Sequence, residues 1–235
     1  MSGNNYTYQK IGIARTPFNE KFGTPRQPGL VKEAQGHIEI LSPFNRVDAF
    51  SGLEQFSHIW LLFHFHLTPS KDFQSTVRPP RLGGNKRVGV FASRSPFRPN
   101  HIGQSLVRLL EIQHHDKKIV LVVEGIDLVD QTPILDIKPY LPYCESVPKA
   151  TGGFAPNAPS NQLKVSWSTI SQTQRHALQI NEQTQSLIEA VLSQDPRPGY
   201  QKGDTQQNGG VTLNNINIKY EIIDGVLMIQ SLKSV

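Results

Sequence analysis

The run Ile59-Trp60-Leu61-Leu62-Phe63-His64-Phe65-His66 is the most hydrophobic stretch of the chain and the one that most restricts its fold. Its length and its aromatic and β-branched content favour a central strand over a helix. Segments with a two-residue apolar period surround it. Residues 8–14 alternate around Ile11 and Ile13, and Gly36 to Leu41 alternates through His37, Ile38, Glu39 and Ile40. Val88 to Ala92, Leu106 to Gln113, Lys118 to Leu128 and Ile134 to Ile137 continue the series, with His114-His115-Asp116 turning one hairpin. Between these strands lies only a short helical turn at Ala49–Phe56, broken by Gly52. Six or seven short strands without intervening helices predict an antiparallel barrel, not a parallel sheet.

The second half reads differently. Pro139 to Ser160 is rich in Pro, Gly, Ala and Asn and predicts a linker. Beyond it a strand is expected at Leu163–Trp167. An amphipathic helix follows over Thr173–Leu192, apolar at Leu178, Leu187, Ile188, Val191 and Leu192. A turn at Gln206–Gly210 then leads to strands at Val211–Ile223 and Val226–Leu232. The expected fold is therefore mainly β, with a β-barrel domain over 1–145 and a small α+β domain over 146–235, a division that 235 residues accommodate.

Charge is concentrated in one place. From Phe73 to Leu110 there is no acidic residue, while Arg78, Arg81, Lys86, Arg87, Arg94, Arg98 and Arg108 all fall there. Arg94 and Arg98 sit on a loop that Pro96 and Pro99 stiffen by fixing φ and removing two N–H groups. Guanidinium forks suit bidentate capture of carboxylate or phosphate. Unopposed like charges on such a loop are either a solvated basic surface held by prolines or a clamp for an anionic ligand; only the second accounts for the fixed backbone, and the net charge of +5 with pI near 9.3 agrees with it. A second loop, Thr16 to Leu30, is too long to be a mere connection and carries the rigid core Pro25-Arg26-Gln27-Pro28.

Several classes are disfavoured. No two glycines are separated by a single residue, so the dinucleotide fingerprint is absent, as is the P-loop. The one cysteine, Cys144, permits neither an internal disulfide nor a cysteine-based zinc site and suits a reducing cytoplasm. The polar N-terminus predicts no signal peptide, and no apolar run approaches membrane-spanning length. His64 and His66 share a strand face as two metal ligands could, but a third and fourth ligand at suitable spacing are missing. Asp127, Asp130 and Asp136 could form a phosphodiesterase metal cluster; pairing of Asp136 with Lys138 or a nearby arginine to fix the strand exit is the better reading. Asp130-Gln131-Thr132-Pro133 ends a strand and is either an ordinary turn or a place where backbone groups read a ligand edge.

Gly89-Val90-Phe91-Ala92-Ser93-Arg94-Ser95-Pro96-Phe97-Arg98-Pro99-Asn100 closely resembles the signature of the TrmO family of tRNA methyltransferases. The resemblance runs from Ile11 to about Tyr200. It includes Pro25-Arg26-Gln27, Arg78-Pro79-Pro80-Arg81, Asp127 to Pro133, Asp136-Ile137-Lys138-Pro139-Tyr140 and Asp195-Pro196-Arg197-Pro198. It implies transfer of a methyl group from S-adenosylmethionine to N6 of threonylcarbamoyladenosine beside the tRNA anticodon. It also implies a barrel whose loops grip the cofactor, across the interface of a homodimer. Pro25, Arg26, Gln27, His66, Leu67, Arg94, Leu106, Asp130, Gln131, Thr132 and Pro133 are then expected at the cofactor, although the family often has a polar residue where Leu67 stands. Arg78, Arg81, Lys86, Arg87, Arg98, Asn100, Lys138, Tyr140 and Arg197 are expected at the RNA. His66 and Asp136 are the candidates for a base, and Phe97, Tyr140 and Tyr200 for stacking on anticodon-loop bases. A non-catalytic RNA-binding protein using the same basic face, and a metal-dependent phosphoesterase, are the rival readings.

Overall fold

The computed structural model describes residues 6–68, 73–159, 163–197 and 206–235. Six antiparallel strands close into a barrel: β1 (Gly12–Arg15), β2 (Gln35–Ile40), β3 (His58–His64), β6 (Ile102–His115), β7 (Lys118–Glu124) and β8 (Thr132–Pro139). Their order around the barrel is β1-β2-β7-β6-β3-β8, with β8 returning to β1. The hydrophobic run lies between β6 and β8, its Ile59, Leu61 and Phe63 buried and its Trp60, Leu62 and His64 only partly so. Interior residues Ala14, Ile38, Val107, Leu121, Val123 and Ile134 meet them in the core.

Strand edges differ from the sequence reading for local reasons. Two small strands, β4 (Thr76–Val77) and β5 (Val88–Gly89), form a separate ribbon. The strand expected through Ala92 stops at Gly89, because Val90–Ala92 is a 3-10 turn whose Val90 carbonyl accepts from Ser93 N–H, Ser93 Oγ and Arg98 Nη1. β7 ends four residues early at Gly125, which turns the chain at φ +76°. β6 starts earlier than expected, at Ile102, and carries a bulge at Leu109/Glu111 that lets so long a strand follow the barrel wall.

After β8 comes a single-turn helix, α1 (Pro142–Glu145), then irregular chain through the described part of the expected linker. The C-terminal sheet has the order β10 (Gln206–Leu213), β11 (Ile216–Ile223), β12 (Val226–Ser234) and β9 (Lys164–Trp167), the last pair parallel. The expected single helix is two, α2 (Thr169–Ala177) and α3 (Glu182–Ser193). Gln179 at φ +53° breaks the helix, and Asn181 starts the next by accepting from Thr184 N–H at 2.8 Å. Gln206–Gly210 is strand, not turn; the turn falls at Asn214-Asn215, both at positive φ, and divides the strand expected over Val211–Ile223.

Because the barrel strands alternate in direction, the connections 16–34, 65–101 and 125–131 leave one end and 41–57 the other. The first connection is wedged between the two sheets. Phe18 is fully buried and bridges Leu213, Asn214 N–H donates to the Pro17 carbonyl at 3.0 Å, and Gly23 at φ +87° lies where any Cβ would collide with Val211. One hydrophobic core consequently runs through both sheets. Phe18→Ala is expected to cost about 3–5 kcal/mol in chemical denaturation, the loss typical of a buried phenylalanine. Phe18→Leu should recover most of that; equal losses for the two variants would contradict the wedge.

Candidate active site

The three connections at one end of the barrel bring together residues far apart in sequence. Asp130 is the joint. Its Oδ1 accepts from Thr16 N–H at 3.0 Å, its own N–H donates to the Phe18 carbonyl at 2.7 Å, and Gln131 N–H donates to the Ala14 carbonyl at 2.8 Å. Thr16 Oγ1 adds a bond to the Leu128 carbonyl at 2.8 Å. Gln131, at φ +67°, donates from Nε2 to Asp130 Oδ2 at 2.8 Å. The N–H of Thr132 donates to the Val129 carbonyl at 3.2 Å, so three successive N–H groups here are consumed within the protein.

The Pro25-Arg26-Gln27 core belongs to the connection that starts at this joint. Pro25 is buried, while Arg26 is exposed and donates to the Arg197 carbonyl at 3.1 Å. Arg94 reaches over from the proline-stiffened loop, its Nη1 donating to Gln27 Oε1 at 2.6 Å. On the opposite side Lys21 Nζ donates to the Leu67 carbonyl at 2.5 Å, which ties the loop to the end of β3. His66 Nδ1 stands 3.5 Å from Thr132 Oγ1. Burial, with His64 beside it, holds the His66 imidazole below its ordinary value, and the pull of Asp130 in the other direction does not reverse this.

Two groups that sequence reading did not single out as a pair lie at the same end of the barrel. Asp127 accepts a 2.5 Å hydrogen bond from the fully buried Ser105. Burial pushes the Asp127 carboxyl up to about 6, against the opposing effects of the Ser105 bond and of the Arg94 charge. Only the period-two pattern of β6, which turns Ser105 inward between Gln104 and Leu106, hinted at that contact.

The other predicted residues divide in two. Leu106, Asp136, Lys138 and Tyr140 lie on the outer wall, away from the Asp130 joint. Leu106 and Lys138 both pair with Trp60, and Tyr140 meets Trp60 and His58 edge-on at 6.2 and 6.4 Å. Asp136 is about 13 Å along β8 from Thr132 at strand spacing, and it forms the expected ion pair with Lys138, Oδ2 to Nζ 3.2 Å. Of the cationic set, Arg78 and Lys86 are exposed, Arg87 donates to Thr76 Oγ1 at 2.6 Å, and Arg81 donates to the Asn157 carbonyl. Asn100 is exposed at the tip of the same connection. Arg98 is not the displayed guanidinium that the sequence suggested: its Nη1 holds the Val90 and Ser93 carbonyls at 3.2 and 2.7 Å. Arg197 is buried against Asp195, with Nε–Oδ1 2.9 Å and Nη2–Oδ2 3.0 Å. Tyr200 and Pro198 lie outside the described residues. Among the described residues no three His, Cys, Asp or Glu side chains gather as metal ligands would, and no helix is long and apolar enough to cross a membrane.

A closed antiparallel barrel whose end loops, and not a glycine-rich strand–helix turn, assemble a polar site, with a small α/β sheet packed on them, marks the architectural class. Residues 13–146 match the model of the tRNA-methyltransferase O N-terminal domain and residues 160–235 that of the TrmO C-terminal domain. The chain belongs to the TrmO family. It is 47% identical over 222 residues to the tRNA (adenine(37)-N6)-methyltransferase of Escherichia coli K12, covering 94% of each chain. It is 45% identical to a Pseudomonas aeruginosa PAO1 protein provisionally named S-adenosylmethionine-dependent methyltransferase RcsF, over 92% of each. The crystal structure of TrmO from Pseudomonas aeruginosa superposes with a TM-score of 0.80 at 35% identity, over 98% of this chain and 99% of that one.

The raised Asp127 carboxyl has a stability consequence. Its folded value of about 6 exceeds the ordinary 3.8, so the folded state binds the extra proton between those limits. Stability linked to this group is complete below about pH 4 and is lost as pH rises through about 6, by up to about 3 kcal/mol. Asp127→Asn, which keeps an acceptor for Ser105, is expected to be the more stable form at pH 8 and indistinguishable from the parent near pH 4. Denaturant titrations across that range test this, and parallel curves would refute it.

Proposed function

We propose that this chain is an S-adenosylmethionine-dependent tRNA methyltransferase acting on N6 of the adenosine next to the anticodon, in its threonylcarbamoyl form. The observation that carries the reading is the convergence of Arg26, Gln27, Arg94, His66 and Asp130 at one barrel end, in a member of this family. The residues present suit the cofactor's chemistry. Arg94 offers an exposed guanidinium, oriented by Gln27, for an amino-acid carboxylate, and Arg26 lies next in the chain. With the N–H groups of Asp130, Gln131 and Thr132 already engaged, main-chain carbonyls remain to accept from an adenine amine. Pro25, Pro133 and Leu67, on the same connections and the start of β8, are further residues that this reading assigns to the cofactor. Asp127 and Asp130, on one connection at this barrel end, are carboxylates whose charge would favour a nearby sulfonium.

When bound, S-adenosylmethionine supplies an electrophilic methyl group, and the protein has to align the acceptor and keep water out. A urea-type N–H is acidic enough for a weak base. Thr132 Oγ1 gives its hydrogen to the Val129 carbonyl at 2.6 Å, so toward His66 Nδ1 it can only accept. That contact favours the tautomer with the lone pair on His66 Nε2, and the lowered imidazole value keeps the ring neutral at pH 7. His66 is the base this arrangement supports, ahead of Asp136, which is engaged by Lys138. Arg78, Arg81, Lys86, Arg87 and Asn100 face the RNA; Arg98 and Arg197 act indirectly, by holding the Val90 turn and Arg26. A homodimer in the cytoplasm fits this reading, since a second copy could bring an outer wall bearing Leu106, Asp136, Lys138 and Tyr140 to the barrel end of the first.

Replacing Arg94 with Ala is expected to weaken S-adenosylmethionine binding about 10- to 100-fold, the worth of a charge-assisted hydrogen bond, with Arg94→Lys recovering only part. Calorimetry reads the affinity, and mass spectrometry of tRNA nucleosides reads the transfer. A parent protein that binds no S-adenosylmethionine, or an Arg94→Ala variant with unchanged turnover, removes the proposal. His66→Gln should lower turnover at neutral pH by about 100-fold, within the range of general-base loss, when measured at saturating S-adenosylmethionine.

A further inference from the structure

Exposed hydrophobic side chains on the barrel's loops include two that touch one another. Phe73 and Phe91 stack at a centroid separation of 6.1 Å and an interplanar angle of 26°, yet are 51% and 71% exposed. Scattered exposed apolar residues need no explanation; an exposed aromatic pair on a rigid base does. The backbone beneath Phe91 is unusually well fixed. Val90 is buried and its N–H donates to the Ser75 carbonyl at 3.0 Å, while Ser93 and Arg98 close the turn from the other side. The Arg98 guanidinium also lies over the Phe91 ring, 5.7 Å from its centroid. The aromatic face is thus displayed and cannot fold back into the core.

Resting on the RNA reading above, we infer that the Phe73–Phe91 pair is a stacking platform for one unpaired base of the RNA substrate. Charge decides the occupant. The stretch from Phe73 to Leu110 carries seven cations and no anion. A second copy meeting this face through a two-fold interface would set like charges against like. An RNA loop instead brings phosphates to Arg78, Lys86 and Arg87, on the chain beside the ribbon, and a base with a π-face for the platform. The half-buried Phe97, which sequence reading favoured for stacking, is the poorer candidate by exposure.

The test measures binding of an anticodon stem-loop RNA by fluorescence anisotropy to the parent, Phe91→Ala, Phe73→Ala and Phe91→Trp, with S-adenosylmethionine affinity by calorimetry as the control. Phe91→Ala should weaken RNA binding about 10- to 100-fold, the range for one base–aromatic stack. Phe91→Trp should retain it. The slope of affinity against salt should not change, because no phosphate contact is lost. A set of RNAs with single abasic positions should contain one that binds the parent weakly and is indifferent to Phe91→Ala. The inference is overturned if Phe91→Ala and Phe73→Ala both bind RNA like the parent, or if no abasic RNA shows that indifference. It is overturned equally if Phe91→Ala turns a dimer into a monomer by sedimentation, which would make the pair a self-interface. A parent that binds S-adenosylmethionine but no RNA would sink the RNA reading and this one with it. A parent that binds RNA and transfers the methyl group while both alanine variants bind like it would overturn this inference and leave the RNA reading standing.

Discussion

Three residue pairs between Gly12–Ala14 and Thr132–Ile134 close the barrel, and the site exists only because they do. A strand of four residues contributes few ladder bonds by itself. The bonds that Asp130 and Gln131 make to Thr16, Phe18 and Ala14 extend the closure beyond the ladder. They also fix where the Thr16–Leu30 connection starts. That connection then has to pass over the barrel end, and it carries Pro25, Arg26 and Gln27 to Arg94, which is 67 residues from Gln27 in sequence. A site made of loops is held here by the same bonds that seal the sheet.

The electrostatics follow from which side chains this arrangement buries. Asp127 sits beneath the cluster with Ser105 as its hydrogen-bond partner and Arg94 close enough to be felt. A carboxyl raised to about 6 by burial is charged at neutral pH but takes up a proton on a modest fall in pH. Bringing a cationic ligand nearby would favour the ionised form, so binding and ionisation of Asp127 are linked. His66 is pushed the opposite way by the same desolvation. Desolvation at this end of the barrel therefore yields an acid that resists ionising and an imidazole that resists protonation, a separation seen where groups are tuned for chemistry.

The barrel was legible because β-strands declare themselves by a two-residue period and β3 does so strongly. Its position between two antiparallel neighbours follows from burying Ile59, Leu61 and Phe63 on one face. The proline-rich Arg94 loop was legible through its chemistry. Three things were not. Whether an arginine is displayed or engaged depends on groups brought near it only by the fold, which is why the sequence did not show that Arg98 holds the Val90 and Ser93 carbonyls or that Arg197 pairs with Asp195. The break between α2 and α3 rests on Gln179 adopting positive φ, a conformation that sequence does not signal for glutamine. The partition of the predicted residues between the barrel end and the outer wall depends on strand facing and on a bulge where Leu62 and Phe63 pair with Asp136 and Ile134.

The C-terminal sheet belongs to the site as well as to the core. Asp195 stands in the left-handed region at φ +57° and buries a bidentate pair with Arg197, which also donates its N–H to Asp195 Oδ1 at 3.2 Å. A buried ion pair is weak support for stability, since desolvation offsets most of its attraction. It is strong support for position, because neither partner can move without leaving a charge uncompensated. What it positions is the Arg197 carbonyl, and that carbonyl holds Arg26. Phe18 and Gly23 press the same connection against Leu213 and Val211. The barrel supplies Arg94, His66 and Asp130, but the geometry of Arg26 is set from the far side, so a separated barrel would keep its closure and lose the carbonyl that holds Arg26.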